Sequence, residues 1–293
     1  MKKFQGTGVA IVTPFKEDLS VDYKSLERLV KHLHSGGVEF LVVQGTTGES
    51  VTLNKQEREE VLSFVKEVND GKLPIVLGHG GNNTQALIDA MSEINFDGVD
   101  AILTVSPYYN KPTQEGIYRH YEMLSNASPV DIILYNVPGR TASNLDWKTT
   151  CSLATDFKNI IATKEAAGDL EQVAKVVNNS PDDFLVLSGD DALSLPHMAL
   201  GGDGVISVVA NAFPMIFSDM LRHCLNNRYQ EARKNYYRLN NLIDLLFAQG
   251  NPGGIKAVLT QLGIGEEHMR PPLAIISNDL RAKIKEELQR ITS

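Results

Sequence analysis

Short apolar runs recur along the first three quarters of the chain, and more polar stretches separate them. The runs lie at residues 9–12, 40–43, 75–77, 101–105, 132–135, 160–161, 184–187 and 205–208. Most of them are continuously apolar, which is typical of strands that are buried on both faces of a parallel sheet. Eight strand–helix units in roughly 210 residues predict an α/β protein with a (β/α)8 fold, a TIM barrel.

The polar stretches between the runs have the periodicity of amphipathic helices. Apolar residues recur at helical spacing over 23–33 and again over 61–68, as on a helix with one buried face. Asn54 and Glu57 have the spacing of a capping box. We therefore expect the second of these helices to begin just after Asn54.

The alternation of strands and helices stops near residue 226. The helical stretches beyond it are 239–246, 255–262 and 273–290. Residues 251–254, with a proline and two glycines, interrupt them, and no Ser/Gly-rich linker suggests a freely hinged unit. We expect a catalytic barrel over 1–225 and a C-terminal helical extension over 226–293.

Composition narrows the classes of protein that remain. The chain has 42% hydrophobic and 22% charged residues, as ordinary soluble proteins do. Its formal net charge of −8 argues against binding to nucleic acid or to an anionic membrane surface, and no apolar run approaches the ~20 residues that span a bilayer. Cys151 and Cys224 form no CxxC motif and are interpreted as free thiols, which predicts a cytoplasmic protein.

The ends of the predicted strands differ in chemistry from the strands themselves. Active sites of TIM barrels lie at the carboxyl ends of the strands. Residues at or near these ends are Thr46, Thr47, Tyr108, Tyr109, Tyr135, Arg140, Lys164, Gly189 and Ile206. Hydroxyls, phenols and single cations dominate this set, so we expect it to surround one site.

Lys164 is the candidate nucleophile. A lysine is rarely buried without a partner, so a solvated lysine at the protein surface is the alternative interpretation. In the apolar mouth of a barrel, however, burial favours the neutral amine, which attacks a ketone to form a Schiff base. Tyr135, with Thr46, Thr47 and Tyr109, would supply the hydroxyl chain that transfers protons in that reaction.

Each of the other candidates also has a structural alternative. Tyr135 has the size of an aromatic that fills the barrel, and Thr46 and Thr47 suit a turn followed by a helix N-terminus. Arg140 is either a loop salt bridge or a clamp for a substrate carboxylate, which a guanidinium binds through two parallel hydrogen bonds.

Several other signals predict no further site. Residues 78–83 resemble a dinucleotide-binding loop, but Asn83 stands where the last glycine belongs. The histidines are scattered, and we expect neither a metal site nor an external cofactor. Asp190 and Asp191 are interpreted as the cap and first turn of a helix.

Six short stretches together resemble the dihydrodipicolinate synthase (4-hydroxy-tetrahydrodipicolinate synthase) family of the N-acetylneuraminate lyase superfamily. They are GTTGES, SPYYNKPTQEG, YNVPGRT, ATKEAAGD, LSGDD and GGDGVISV. The resemblance runs from the first strand into the helical tail. It implies a carbon–oxygen lyase that condenses pyruvate with L-aspartate 4-semialdehyde in diaminopimelate and lysine biosynthesis.

The resemblance also implies roles for particular residues. Lys164 would form the imine with pyruvate, and Tyr135 would donate and accept protons. Thr46 and Tyr109 would complete the relay, with Tyr109 reaching into the site of a neighbouring subunit. The family assembles as homotetramers that are dimers of dimers, which would account for the helical tail.

Substrate-binding roles follow in the same way. Thr47 and the backbone of Ile206 would hold pyruvate, with Gly189 among the substrate-binding residues. Arg140 would bind the carboxylate of the semialdehyde.

A possible allosteric cleft is also implied. Lysine-inhibited members bind lysine near the positions of Ser50, Asn82 and Tyr108. They present two histidines and a glutamate where this chain has Lys55, Arg58 and Ala86. A dicationic ligand needs acceptors, which these residues do not provide, so we expect weak or absent inhibition by L-lysine.

Two alternative functions remain open at this point. One is a pyruvate-dependent aldolase of the same superfamily, which cleaves N-acetylneuraminate or a 2-keto-3-deoxy sugar acid and usually lacks the GRT sequence that contains Arg140. The other is a non-catalytic pyruvate-binding sensor, which would not need Lys164, Tyr135 and Thr46 together.

Overall fold

The computed structural model describes residues 2–292 and contains a closed parallel β-barrel. The strands are β1 (Gly6–Ala10), β2 (Phe40–Val43), β3 (Ile75–Gly78), β4 (Ala101–Val105), β5 (Asp131–Asn136), β6 (Ile160–Glu165), β7 (Leu185–Ser188) and β8 (Gly204–Ser207). Each strand pairs in parallel with the next one in the sequence, and β1 closes the barrel against β8. The predicted TIM barrel is therefore confirmed.

Helices follow the strands around the outside of the barrel and continue beyond it. They are α1 (Tyr23–Ser35), α2 (Lys55–Asn69), α3 (Thr84–Met91), α4 (Gln114–Ala127), α5 (Pro138–Thr141), α6 (Trp147–Asp156), α7 (Leu170–Asn179), α8 (Ser194–Ala199), α9 (Pro214–Leu225), α10 (Tyr229–Phe247), α11 (Gly253–Gln261) and α12 (Asn278–Thr292). The capping box of α2 is present: the backbone N–H of Glu57 donates to Asn54, and the backbone N–H of Asn54 donates to Glu57. No helix within residues 2–292 is long and apolar enough to cross a membrane.

The first strand begins earlier than its apolar run predicts. It covers Gly6–Ala10 instead of residues 9–12. A Cβ atom at Gly8 would lie 2.2 Å from the ring of Phe40, so the position accepts no side chain. A strand that needs glycine to make room for a neighbouring ring does not stand out as an apolar run.

The three helices of the tail also begin at other residues than expected. Helix α10 begins at Tyr229 instead of residue 239. Helix α11 begins at Gly253, inside the segment that was expected to interrupt the helices. Helix α12 begins at Asn278, so the prediction of a helix from residue 273 is wrong at its start. The Ser277 hydroxyl accepts a hydrogen bond from the backbone N–H of Leu280 at 3.3 Å, as a helix N-cap does.

Side chains fill the barrel at its amino-terminal end and leave the other end open. Phe4 precedes β1 and packs edge-on against Phe40 at the start of β2, with the ring centroids 5.4 Å apart. Both rings belong to a buried apolar cluster that also contains Tyr135 and Ile206. The closed floor leaves the carboxyl ends of the strands as the accessible face of the barrel.

A buried ion pair connects the C-terminal helices to the loop after β2. The Lys256 ammonium in α11 donates to a carboxylate oxygen of Glu49, and the two side chains are 1% and 0% exposed. The ammonium also donates to the carbonyl oxygen of His268 at 2.8 Å, and the backbone N–H of Arg270 donates to Glu49 at 3.2 Å. Burial lowers the pKa of Lys256 to about 8, although the Glu49 carboxylate opposes this shift.

We predict that Lys256→Met destabilises the protein by roughly 3–5 kcal/mol, because it leaves the Glu49 carboxylate buried without a counter-charge. Urea unfolding followed by circular dichroism measures the loss. The matched control is Lys175→Met, which removes an exposed pair with Glu171 and is expected to change the stability little. Equal losses in the two variants would contradict a structural role for the buried pair.

Candidate active site

A cavity of about 500 Å³ opens at the carboxyl ends of β2 to β5. Thr46, Tyr108, Tyr135 and Arg140 line it, each from the loop or strand end where the sequence places it. The cavity therefore brings together predicted site residues that are up to 94 positions apart in the chain (140 − 46). It lies on the face where TIM barrels carry their active sites.

Lys164 is buried beside Tyr135. The two residues pair across β6 and β5, and the Lys164 side chain is only 7% exposed. Its ammonium nitrogen lies 4.3 Å from the centroid of the Tyr135 ring. No carboxylate within residues 2–292 forms a salt bridge with it. The interpretation of Lys164 as a solvated surface residue is wrong, and a buried lysine without a counter-ion is typical of a reactive amine.

Gly189 provides the space for the Lys164 side chain. A Cβ atom at residue 189 would lie 2.8 Å from Cε of Lys164 and 2.7 Å from Cβ of Ala166. Any other residue would displace the lysine or the strand end. Gly189 thus lies against the lysine that we expect to react.

Glu165 fixes the strand end from the opposite side and was not predicted as a functional residue. Successive side chains of a strand point to opposite faces, so Glu165 points away from the face of Lys164. Its carboxylate accepts hydrogen bonds from Asn136 at 3.0 Å, from Gln172 at 2.9 Å and from the backbone N–H of Ala167 at 2.8 Å. Burial raises the pKa of Glu165 despite these donors. A glutamate inside a buried strand is the sequence signal that could have revealed it.

The two adjacent threonines in the loop after β2 differ in their exposure to solvent. Thr46 is exposed and lines the cavity, whereas Thr47 is 3% exposed. The side-chain amide of Asn251 donates to the Thr47 hydroxyl at 2.9 Å. Asn251 lines the same cavity, but it did not stand out in the sequence, where it only begins a segment expected to break the helices.

Arg140 is free to bind a ligand. It lies in the short helix α5, its side chain is exposed, and it forms no salt bridge with any of the described residues. The alternative that Arg140 forms a loop salt bridge is therefore wrong for this chain. Ile206, in contrast, is 1% exposed in β8 and does not line the cavity.

The two tyrosines after β4 have different surroundings. Tyr108 lines the cavity, and its carbonyl oxygen accepts a hydrogen bond from the side chain of Asn82 at 3.1 Å. Tyr109 is 88% exposed with a backbone φ of 72° and does not line the cavity of its own chain. The structure of one chain therefore does not bring Tyr109 to Tyr135.

The residues of the possible allosteric cleft adjoin the active-site cavity. Ser50, Lys55 and Arg58 line the same cavity as Tyr108. The Lys55 ammonium lies 2.9 Å from a carboxylate oxygen of Glu93. This part of the cavity thus presents an exposed arginine and an ion-paired lysine.

Asp191 has another role than the predicted one. Helix α8 begins at Ser194, and Asp191 does not cap it. Its buried carboxylate accepts hydrogen bonds from the backbone N–H groups of Val208 at 3.0 Å and Val209 at 2.8 Å. Burial raises the pKa of Asp191 to about 6. Asp191 therefore anchors the chain that leaves β8.

No group of three or more potential metal-ligating residues occurs in the described part of the chain.

Known proteins resemble this chain over nearly its full length. The model of the Dihydrodipicolinate synthetase family matches residues 3–291. A 4-hydroxy-tetrahydrodipicolinate synthase of Flavobacterium psychrophilum is 51% identical over 284 residues, which are 97% of each chain. One of Parabacteroides distasonis is 46% identical over 288 residues, which cover 98% of this chain and 97% of the relative.

The fold agrees with the sequence comparisons. The crystal structure of dihydrodipicolinate synthase from Cyanidioschyzon merolae with lysine bound superimposes with a TM-score of 0.96 at 38% identity, over 100% of this chain and 99% of the other. Family model, relatives and structure agree, so the chain belongs to the dihydrodipicolinate synthetase family.

Proposed function

We propose that this chain is a 4-hydroxy-tetrahydrodipicolinate synthase, which condenses pyruvate with L-aspartate 4-semialdehyde in the diaminopimelate and lysine pathway. The observation that carries the proposal is Lys164, which is buried without a counter-ion against the ring of Tyr135 at the mouth of the barrel. The activity of the relatives at 51% and 46% identity supports the same assignment.

The first step is a condensation of the Lys164 amine with the keto group of pyruvate. The amine nitrogen forms a bond to the carbonyl carbon, its two protons pass to the carbonyl oxygen, and that oxygen departs as water, which leaves a neutral imine. The imine nitrogen then takes up a proton, which prepares it for the next step. Tyr135, on the neighbouring strand, exchanges these protons, and the hydroxyl of Thr46 continues the relay at the cavity wall. No external cofactor takes part, because the imine itself activates the substrate.

The second step joins the two substrates. Loss of a proton from the pyruvate methyl group converts the protonated imine to an enamine. The enamine carbon attacks the aldehyde carbon of the semialdehyde, and the aldehyde oxygen takes up a proton and becomes a hydroxyl group. The amino group of the semialdehyde then displaces Lys164 and closes the ring, which releases the free lysine amine. Thr47, Gly189 and the backbone of Ile206 hold the pyruvate part, and Arg140 holds the carboxylate of the semialdehyde.

The proposal includes assembly into a tetramer built as a dimer of dimers. Tyr109 is 88% exposed in the single chain, and its own backbone φ is positive. Val51, which is 86% exposed, adds apolar surface from the loop after β2. A neighbouring copy would cover this surface and receive Tyr109 into its own proton relay.

We place the enzyme in the cytoplasm, where its two buried, unpaired cysteines suit a reducing environment.

The aldolase of the same superfamily is the second candidate. It shares the lysine and tyrosine, so the imine does not distinguish it from the synthase. The exposed, unpaired Arg140 favours the synthase, because the semialdehyde brings a carboxylate that a guanidinium binds through two hydrogen bonds. A sensor that only binds pyruvate has no use for a buried amine beside a phenol.

We predict that pyruvate and borohydride together inactivate the enzyme and label Lys164, because borohydride reduces the imine to a stable secondary amine. Peptide mapping by mass spectrometry locates the label. Lys164→Arg should take up no label and lose nearly all activity, since a guanidinium stays protonated and does not attack a ketone.

Lys256 is the internal control in that experiment. It is also a buried lysine, with its pKa lowered to about 8, but it is paired with Glu49 and belongs to the C-terminal helices. A label on Lys256 in place of Lys164, or no label at all, would overturn the proposed mechanism.

We predict that Arg140→Ala raises the KM for L-aspartate 4-semialdehyde by more than about tenfold, since a hydrogen bond to a charged group contributes ~1.5–3 kcal/mol. The KM for pyruvate should change by less than about twofold by the same reasoning. Steady-state kinetics with each substrate varied in turn measures both values. Arg119→Ala, on the exposed face of α4, is the control, and equal effects on both substrates would remove Arg140 from the semialdehyde site.

We predict that L-lysine inhibits the enzyme weakly or not at all. Ala86 provides no carboxylate, and the cations of Lys55 and Arg58 line the cavity where a dicationic ligand would need acceptors. Loss of one charge-assisted hydrogen bond alone lowers affinity by more than about tenfold. Assays with lysine titrated well above the substrate concentrations test this, and half-inhibition below millimolar lysine would contradict it.

A further inference from the structure

Asn251 is a buried polar residue at the active-site cavity to which the proposed mechanism gives no task. It lies in the turn between α10 and α11, and it is 9% exposed. It is one of the residues that line the cavity, together with Tyr135 and Arg140. Its only hydrogen bond within residues 2–292 joins its amide nitrogen to the hydroxyl oxygen of Thr47.

That hydrogen bond determines what the Thr47 hydroxyl can do. A threonine hydroxyl has one proton to donate and two lone pairs that accept. The Asn251 amide nitrogen is a donor, so at 2.9 Å it occupies a lone pair of the Thr47 oxygen. The hydroxyl proton is therefore not donated to Asn251, and it remains free for another acceptor.

The side-chain carbonyl oxygen of Asn251 is buried and forms no hydrogen bond with the described residues. A buried acceptor without a donor is unfavourable, and such groups concentrate at functional sites. If the amide were turned over, its oxygen would take the proton of Thr47. The orientation of Asn251 thus leaves its own oxygen unsatisfied and the Thr47 proton free.

The same two chain segments are joined a second time. Two residues after Thr47, the Glu49 carboxylate forms the buried ion pair with Lys256, which follows Asn251 by five residues. A Cβ atom at Gly254 would lie 2.5 Å from the carbonyl oxygen of Leu246, so the turn at Asn251 is also held tightly against α10. These contacts fix Asn251 relative to Thr47.

We propose that Asn251 is a positioning residue for pyruvate: its amide orients the Thr47 hydroxyl as a donor to the pyruvate carboxylate. The inference rests on the proposed function, because it takes Thr47 as part of the pyruvate site. Asn251 acts through Thr47 and need not touch the substrate.

The principal test is Asn251→Asp, which preserves the shape of the side chain and replaces the donor with an acceptor. The carboxylate would take the Thr47 proton and add a negative charge near the pyruvate carboxylate. We expect the KM for pyruvate to rise by about tenfold or more, the loss of one charge-assisted hydrogen bond. The KM for the semialdehyde should change less than about twofold on the same reasoning. Asn179→Asp, the same substitution at an exposed residue of α7, is the matched control.

A double-mutant cycle tests whether Asn251 acts through Thr47. Thr47→Val removes the hydroxyl and keeps the shape. Asn251→Ala alone should raise the KM for pyruvate, whereas in the Thr47→Val background it should have no further effect, because the hydroxyl that it orients is gone. Additive effects would overturn the inference. Thermal melts of all variants identify any that lose the fold, and a variant of unchanged Tm must show the KM effect for the inference to hold.

The experiment separates this inference from the proposed function. Borohydride trapping of pyruvate on wild-type Lys164 reports the proposed function alone. Trapping in the wild type, together with an unchanged KM for pyruvate in Asn251→Asp, overturns only the role of Asn251. A wild-type chain that neither traps pyruvate nor catalyses the condensation overturns the proposed function and the role of Asn251 with it.

Discussion

The buried ion pair between Glu49 and Lys256 is the interaction on which the geometry of the site depends. Two charges withdrawn from water are stable only while each has its partner, so the pair fixes the distance between the loop after β2 and helix α11. Thr46 and Thr47 lie in that loop, and Asn251 lies just before that helix. Residues of the helical tail thus form part of the wall of the candidate active site.

The strands supply the second constraint. Lys164 and Tyr135 are neighbours because β5 and β6 pair in that register, and the strict alternation of a strand sends Glu165 to the other face. Glu165 is held there by hydrogen bonds from Asn136 in β5, from Gln172 in α7 and from the backbone N–H of Ala167 just after β6. The groups proposed to react therefore lie on strands, which hold geometry better than loops, while Arg140, which is proposed to bind the semialdehyde, lies in a connection.

Sequence reasoning succeeded where the cause of structure is local. The apolar runs revealed the strands, and Asn54 with Glu57 marked the start of α2. It placed β1 too late in the chain, because the strand contains a glycine at position 8, where the ring of Phe40 leaves no room for a side chain. It also missed Asn251 and Lys256. Their partners Thr47 and Glu49 are 204 and 207 positions away in the chain, and no local pattern encodes such contacts.

The long sequence separation of Glu49 and Lys256 has a consequence for how the protein is made. Glu49 is synthesised 207 residues before its partner. At 5–20 residues per second, that interval lasts on the order of 10–40 s. Throughout it the loop carries a carboxylate that has no counter-charge and that water must solvate. Strands β3 to β8 are synthesised in that interval, but the ion pair that holds the loop of Thr47 against α11 forms only when translation is almost finished.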